Sequence, residues 1–430
     1  ALAEQHPARL RNAGDKAKLI SSNDSSGFTF RGRFTDKEQA ISVGHEISQK
    51  AHSALRWLIG RQGYRHDTQV FIAWAVSGKQ FPSPFGELGG WGEWNDDEVP
   101  EPETVPAEAP PDHTRDLGQS FARRLNVYMA GYGEIDNPTE DIVVMGLDSA
   151  TTGRMAITYY RELKGAEFLE RLRRWHTAMA WPQRFSRKET DAKGKSKPVV
   201  GWSPAAPAPD TISVAAYGRR LDDKLRKATV ERLIPCVIDG RPLPRDLMEA
   251  CAHRVIHRSG QDSWEWELSL GVACALFKGF YETHPDSHQR RSYAMALEPT
   301  RTSRDYLFGR LLAIAENIEQ KALKYADEKE RPTNAERLMQ HFAMRPASAW
   351  LNIRLALEPY LERLRSSSPG LLKIRKDLLD DVTGLFQPDD FTDDSRRLSP
   401  EFLLGYHCQR LDFRYKPGAE NATDAEGDKA

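Results

Sequence analysis

Three groups of residues have the types and spacing to do chemistry. Cys251, His253 and His257 form the best metal candidate, because the two histidines lie four apart and would share one face of a helix. No carboxylate or second cysteine pair completes the set, and a partly buried helix explains it as well. His66-Asp67 has the composition of a metal-nuclease dyad, although a turn ahead of a strand also accounts for it. The third group is cationic: Arg9, Arg11, Lys16 and Lys18 precede the loop SSNDSSG at 21–27, and Arg31 and Arg33 follow it. Cations neutralise phosphates while hydroxyl and amide groups reach phosphate oxygens or base edges. A solvated loop between ordinary surface cations is the competing explanation. A second basic tract, Arg184 to Lys197, has the charge to follow a nucleic-acid backbone, with a solvated loop again the alternative.

The chain contains no P-loop, G-x-G-x-x-G, H-E-x-x-H or G-x-S-x-G. Nucleotide hydrolysis and the commoner hydrolase chemistries thus lack their usual markers. We expect binding rather than catalysis, with no cofactor and no metal. The competing classes are a metal-dependent nuclease built on His66, Asp67 or the Cys251 group, and a purely structural scaffold. Composition limits where binding can occur. With 430 residues, 29% of them charged, and a net charge of -1, any basic surface must be local. Four scattered cysteines, Cys236, Cys251, Cys274 and Cys408, fit a reducing cytoplasm better than a disulfide framework. No apolar run approaches the roughly 20 residues that span a bilayer. The chain opens at Ala1 without an initiator methionine, so we expect the true start upstream.

The elements that must position these groups follow from periodicity. The pattern predicts an α+β chain, with a mixed α/β portion over 1–212, then a helical region over 213–415 that is a bundle from about 300, and a disordered tail over 416–430. In the first portion, apolar residues from Ile41 and Ile47 through Ala51, Ala54, Leu55 and Ile59 predict one broad helix face over Lys37 to Gly60. Strands are expected at Val70–Val76, Asp141–Leu147 and Met155–Arg161, with helices at Thr114–Ala130 and Gly165–Met179. Two loops interrupt them: 81–112, acidic, with no lysine or arginine, and 183–210, basic. In the second portion, helices are expected at Thr302–Ala326, Asn334–Phe342, Ala347–Leu364, Leu371–Phe386 and Pro400–Arg410. Thr302 with Asp305 and Thr333 with Glu336 have capping-box spacing.

Several segments, taken in order, resemble the large subunit of the type I-C CRISPR Cascade surveillance complex. They are QHPARLRNAGDKAKLISSNDSSGFTFRGR; AHSALRWLI before VFIAWA; VVMGLDSATTGRMAITYYREL, where Ser149 to Thr151 stand in place of the family's Pro-Asn; RLRRWH; IDGRPLPRDLM; DYLFGRLLAIAENIEQKAL; and FLLGYHCQRLDF. The resemblance spans the chain to about Tyr415 and implies a non-catalytic, cytoplasmic subunit of an antiviral ribonucleoprotein. Such a subunit recognises the motif flanking a DNA target (the PAM), helps open the duplex, holds the displaced single strand of the R-loop, and docks the helicase-nuclease. Its implied partners are the guide-RNA complex, with backbone, small and guide-processing subunits, and the double-stranded target. The family carries a further region ahead of the His-Pro segment, and a small subunit can start internally, for which Met295 is a candidate. Guide pairing reads sequence in such systems, while protein reads the short motif and backbone shape. On this reading Lys16, Lys18, Ser21, Ser22, Asn23, Arg31 and Arg33 are the expected PAM-proximal contacts. Lys193, Lys195 and Lys197, or Arg301, Arg304 and Arg354, are the expected contacts to the displaced strand.

Overall fold

A computed structural model describes residues 1–20, 34–79, 81–84, 117–131, 140–151, 153–190, 196–258, 260–328 and 331–414. Ser21, Ser22, Asn23, Arg31, Arg33, Lys193 and Lys195, nearly all of the acidic 81–112 segment, and the tail lie outside the described residues, as does the side chain of Lys197.

In chain order the elements are α1 (Lys37–Ala40), α2 (His45–Gln62), β1 (Tyr64–His66), β2 (Gln69–Ala75), α3 (Leu117–Ala130), β3 (Asp141–Thr151), β4 (Arg154–Lys164) and α4 (Gly165–Met179). There follow β5 (Trp181–Thr190), β6 (Ser196–Ala205), α5 (Pro209–Tyr217), α6 (Asp223–Ile238), α7 (Arg245–Ile256), α8 (Ser263–Glu282) and α9 (Arg304–Tyr325). The chain ends with α10 (Asn334–Met344), α11 (Pro346–Ser367), α12 (Pro369–Gly384), α13 (Pro388–Thr392) and α14 (Glu401–Arg414). The chain is α+β, as its patterning predicts.

Its contacts group it into two units, Ala1–Gly86 with Asn126–Arg174 and Asp222–Arg241, and the remainder. This differs from a contiguous boundary at 212, because α6 belongs with the strands. Gln69 donates to Glu231, and Lys227 pairs with Asp67 at 2.9 Å. The first unit is built on an antiparallel sheet in the order β1-β2-β3-β4. The β2–β3 register sets Val70 against Leu147 and Ala75 against Ile142. Gly146 is where the Phe71 ring lies down on the neighbouring strand, since a Cβ there would meet that ring at 2.7 Å.

Helix α2 corrects the expected apolar face. It starts at His45, and its buried residues are Ser48, His52, Leu55 and Ile59, while Ile47 is 68% exposed and Ala51 and Ala54 face solvent. Leu55 and Ile59 join Leu10, Val70, Ile72 and Leu147 in one core. Polar Ser48 and His52 are buried because the N-terminal segment covers them: His6 hydrogen-bonds Ser48 Oγ at 2.8 Å and stacks on His52. A turn later Arg56 donates to the carbonyls of Ala8 and Arg9.

In the second unit the basic segment expected as a loop forms a hairpin, β5 paired with β6 from Trp181↔Ala205 to Thr190↔Ser196. Helices α5, α7 and α14 pack on α8, whose middle is buried on all sides, and α10, α11, α12 and α14 pack on α9. The Thr333–Glu336 capping box forms, whereas Asp305 instead accepts from the backbone and hydroxyl of Ser399. Helices α9 and α14 meet backbone to backbone: a Cβ on Gly309 would lie 1.9 Å from the Phe402 carbonyl oxygen, and one on Gly405 would lie 2.1 Å from that of Tyr306. Glycine is required at both positions because no side chain fits between the helices.

Candidate nucleic-acid interface

In the first unit, Lys18 is held by backbone pairing. Its N–H donates to the Gly153 carbonyl at 3.1 Å, and its own carbonyl accepts from Met155 at 3.0 Å, so Lys18 and Arg154 lie in parallel register. Lys16, two residues earlier, is exposed, as is Arg154. The cationic end of the N-terminal segment is thereby fixed on the β3–β4 hairpin. Placing cations side by side is unfavourable unless an anion or solvent screens them.

Arg11 is committed differently. It is buried, pairs with Asp15 through Nε at 2.8 Å and Nη2 at 3.0 Å, donates to Ser149 Oγ at 2.6 Å, and also bonds the Thr68 carbonyl. The Arg11 guanidinium holds the Asp15 carboxyl below the usual carboxylate range. One arginine therefore ties the N-terminal segment to the β1–β2 and β3–β4 turns, which gives Ser149 a structural partner. Lys227 completes this seam. It bonds Thr68, pairs with Asp67, and lies 3.7 Å from Asp148. That hydrogen bond depresses the Asp67 carboxyl, so the aspartate of the His66-Asp67 dyad faces an ammonium.

The other metal candidate separates in space. Cys251 is fully buried and directs its thiol toward the Ile212 carbonyl, with burial pushing the thiol up. The His253 and His257 rings lie with centroids 4.0 Å apart, tilted by 34°, beside an open hollow of about 580 Å³. Among the described residues no group of three or more His, Cys, Asp or Glu is arranged to hold a metal ion.

The expected displaced-strand contacts on the bundle divide. Arg304 is 7% exposed, and its guanidinium donates to the carbonyls of Asp390, Asp393 and Arg396 and pairs with Asp305. That staples the turn after α13 to the start of α9 and leaves little of the fork for a phosphate. Arg301 donates to Glu298 and to the Ser292 carbonyl and lies over the Tyr293 ring at 4.5 Å. Both guanidinium groups are thus engaged within the chain. Arg354 is exposed on α11. The register of the β5–β6 hairpin sets Lys197 opposite Glu189, one pair from the Thr190↔Ser196 end of the ladder.

Two segments that carry the CRISPR resemblance meet at the α9–α14 crossing. Besides the glycine contact, Arg310 donates to Gln409 at 3.1 Å, and Tyr406 donates to Glu316 at 2.6 Å. Glu316 also pairs with Arg258 at 3.1 Å and with Arg410 at 3.4 Å, while Arg410 binds Glu267 at 2.6 Å. The Arg258 guanidinium lies 3.7 Å from the centre of the Trp266 ring. A third segment, IDGRP, closes α6: Gly240 adopts φ +65 and the Arg241 N–H caps the Pro235 carbonyl. Asp239 accepts from Arg161 at 2.8 Å.

A chain whose recurrent motifs fasten its elements together, with cations gathered at one sheet edge, matches over residues 1–414 a family model for CRISPR-associated proteins. The family is that described as CRISPR-associated protein (Cas_Csd1), and the chain belongs to it. It is thus a CRISPR-associated, Cascade-type subunit of antiviral defence. No curated protein matches the chain. Among the described residues no helix is long and apolar enough to cross a membrane.

Proposed function

We propose that this chain is the non-catalytic large subunit of a type I-C guide-RNA surveillance complex. It recognises the flanking motif of a DNA target, helps open the duplex, holds the displaced strand and docks the helicase-nuclease in the cytoplasm. The pinning of Lys18 to the β3–β4 hairpin beside Arg154 carries this reading. It fixes cations close in sequence to the Ser/Asn-rich segment 21–33, and at duplex-binding surfaces charges position a backbone while small polar groups approach base edges. Lys16 and Lys18 hold phosphates on this reading, and Ser21, Ser22 and Asn23 reach toward bases. Arg31 and Arg33, which follow them in sequence, hold phosphates on the same reading.

The test is binding of the reconstituted guide-RNA complex, with and without this chain, to matched duplexes with an intact or scrambled flanking motif, in metal-free buffer at two salt concentrations. The expected result is that the chain adds affinity only for the intact motif, and that Arg31→Ala with Arg33→Ala removes the gain. Equal affinity for both motifs would instead make the chain a scaffold. Cleavage of DNA by the purified chain on adding a divalent metal would make it a nuclease.

A further inference from the structure

The C-terminal halves of α9 and α14 leave a hollow of about 280 Å³ between them. Asn317, Gln320, Lys321 and Lys324 line it from α9, and Arg410, Phe413 and Arg414 from α14. Lys321 and Lys324 are exposed and make no ion pair among the described residues. Arg410 keeps one buried nitrogen, Nη1, without a hydrogen-bond partner. The carboxylate at this site, Glu316, is held by Tyr406, Arg258 and Arg410, so its charge is already matched. The rim is aromatic and cationic at once. Arg375 stacks 3.9 Å from the Phe413 ring and is oriented by Asn317, and Arg414 stacks 4.7 Å from the ring of Trp202, which is 37% exposed.

Exposed lysines over a hollow, flanked by guanidinium planes stacked on aromatic rings, are the parts that bind a single strand. Charge follows the backbone, and bases stack on π-faces or guanidinium planes whatever their sequence. We propose that this hollow binds single-stranded nucleic acid, with phosphates between Lys321, Lys324 and Arg414 and unstacked bases against the Arg375–Phe413 and Arg414–Trp202 pairs. Trp202 lies in β6, so the strand would continue from here along the hairpin that carries Lys197. This assignment rests on the reading of the chain as a DNA-handling subunit, and it moves the displaced-strand contact from Arg301 and Arg304 to a hollow whose two lysines make no ion pair among the described residues, while Arg414 also pairs with Glu267 at 3.4 Å.

The test uses the full chain alone and fluorescent thymidine or uridine oligomers of about 12 nucleotides, with anisotropy read at low and moderate salt. Each phosphate contact to a single strand adds a salt slope of about 0.7. Lys321→Gln with Lys324→Gln should therefore flatten the slope by about 1.4, so that over a fourfold rise in salt the wild-type affinity falls about sevenfold more than the variant's. Lys50→Gln, which removes an exposed cation paired with Glu46 in the other unit, should leave the slope unchanged. The ratio of thymidine to uridine binding tells whether the strand is the displaced DNA or an RNA. An unchanged slope in the double variant, or a duplex bound as tightly as the single strand, would overturn the assignment. No flanking motif or partner enters this assay, so it can fail while flanking-motif recognition stands, and the reverse.

Discussion

Gly309→Ala would put a methyl carbon 1.9 Å from the Phe402 carbonyl oxygen, where an ordinary contact needs about 3.4 Å. The obstacle is backbone on the facing helix, with the Tyr406 nitrogen a second one at 2.8 Å, so no side chain can swing aside. Relief requires α9 and α14 to part locally by roughly 1.5 Å, which loosens Tyr306, Phe308, Phe402 and Leu403, all buried beside the crossing. Overpacking of this kind costs about 1–3 kcal/mol or more, against a gain of up to about 1 kcal/mol from replacing a helical glycine. A net loss of about 2 kcal/mol is expected, which lowers the Tm of a unit this size by about 4–8 °C. Gly60→Ala is the control, since Gly60 is also within a helix but has nothing within 4 Å of its Cβ position. It should raise stability by about 0.5–1 kcal/mol. Thermal unfolding followed by circular dichroism and calorimetry reads both variants. A Gly309→Ala protein as stable as Gly60→Ala would refute the steric argument for the crossing.

Two further outcomes follow from buried groups. His176 is fully buried, neither ring nitrogen has a partner among the described residues, and burial lowers its pKa to about 3. The unfolded histidine titrates near 6.5 and so takes up its proton first on acidification. The stabilisation is therefore complete above that value and is lost as pH falls toward 3. Urea unfolding at pH 7.5 and pH 5.0 should show wild type losing about 2 kcal/mol more than His176→Leu. Equal losses would mean that this ring is not kept neutral by burial. Arg304→Met strands three carbonyls and should cost about 2–4 kcal/mol of stability with little change in DNA affinity below the melting range. A selective loss of DNA binding at unchanged Tm would return Arg304 to the interface.

Helices α9 to α12 and α14 were legible in the sequence because each carries a sustained apolar period or local punctuation, such as Thr333 with Glu336, whereas the five-residue α13 is too short for one. Helix α2 shows the limit of that signal. Its alanines and Ile47 widened the apparent stripe, and nothing local revealed that Ser48 and His52 would be covered by a segment more than 40 residues earlier. The β5–β6 hairpin was hidden for a related reason. Lysines, glycine and prolines read as loop, while antiparallel backbone pairing set the structure. The hollow on α9 and α14 had a sequence trace, Lys321 and Lys324 three apart, but its other side comes from residues nearly a hundred positions later.

Counting cations in the sequence does not show which of them are available to a ligand. Arg56 serves two carbonyls, Arg11 serves Asp15, Thr68 and Ser149, and Arg304 serves three carbonyls. Guanidinium groups suit this work because they keep their charge and offer several donors in a fixed plane. The exposed lysines differ: Lys16 beside the hairpin, and Lys321 and Lys324 over the hollow, each present a mobile point charge that suits a phosphate. In a chain of net charge -1, these arginines, together with Lys227 of the seam, fasten segments to one another, while these three lysines are left at the surface. Replacing those three lysines by glutamine should weaken nucleic-acid binding without lowering the Tm, whereas Arg11→Gln should lower the Tm by breaking a buried pair with Asp15. If both changes acted on stability alone, the division of labour between the two cations would be wrong for this protein.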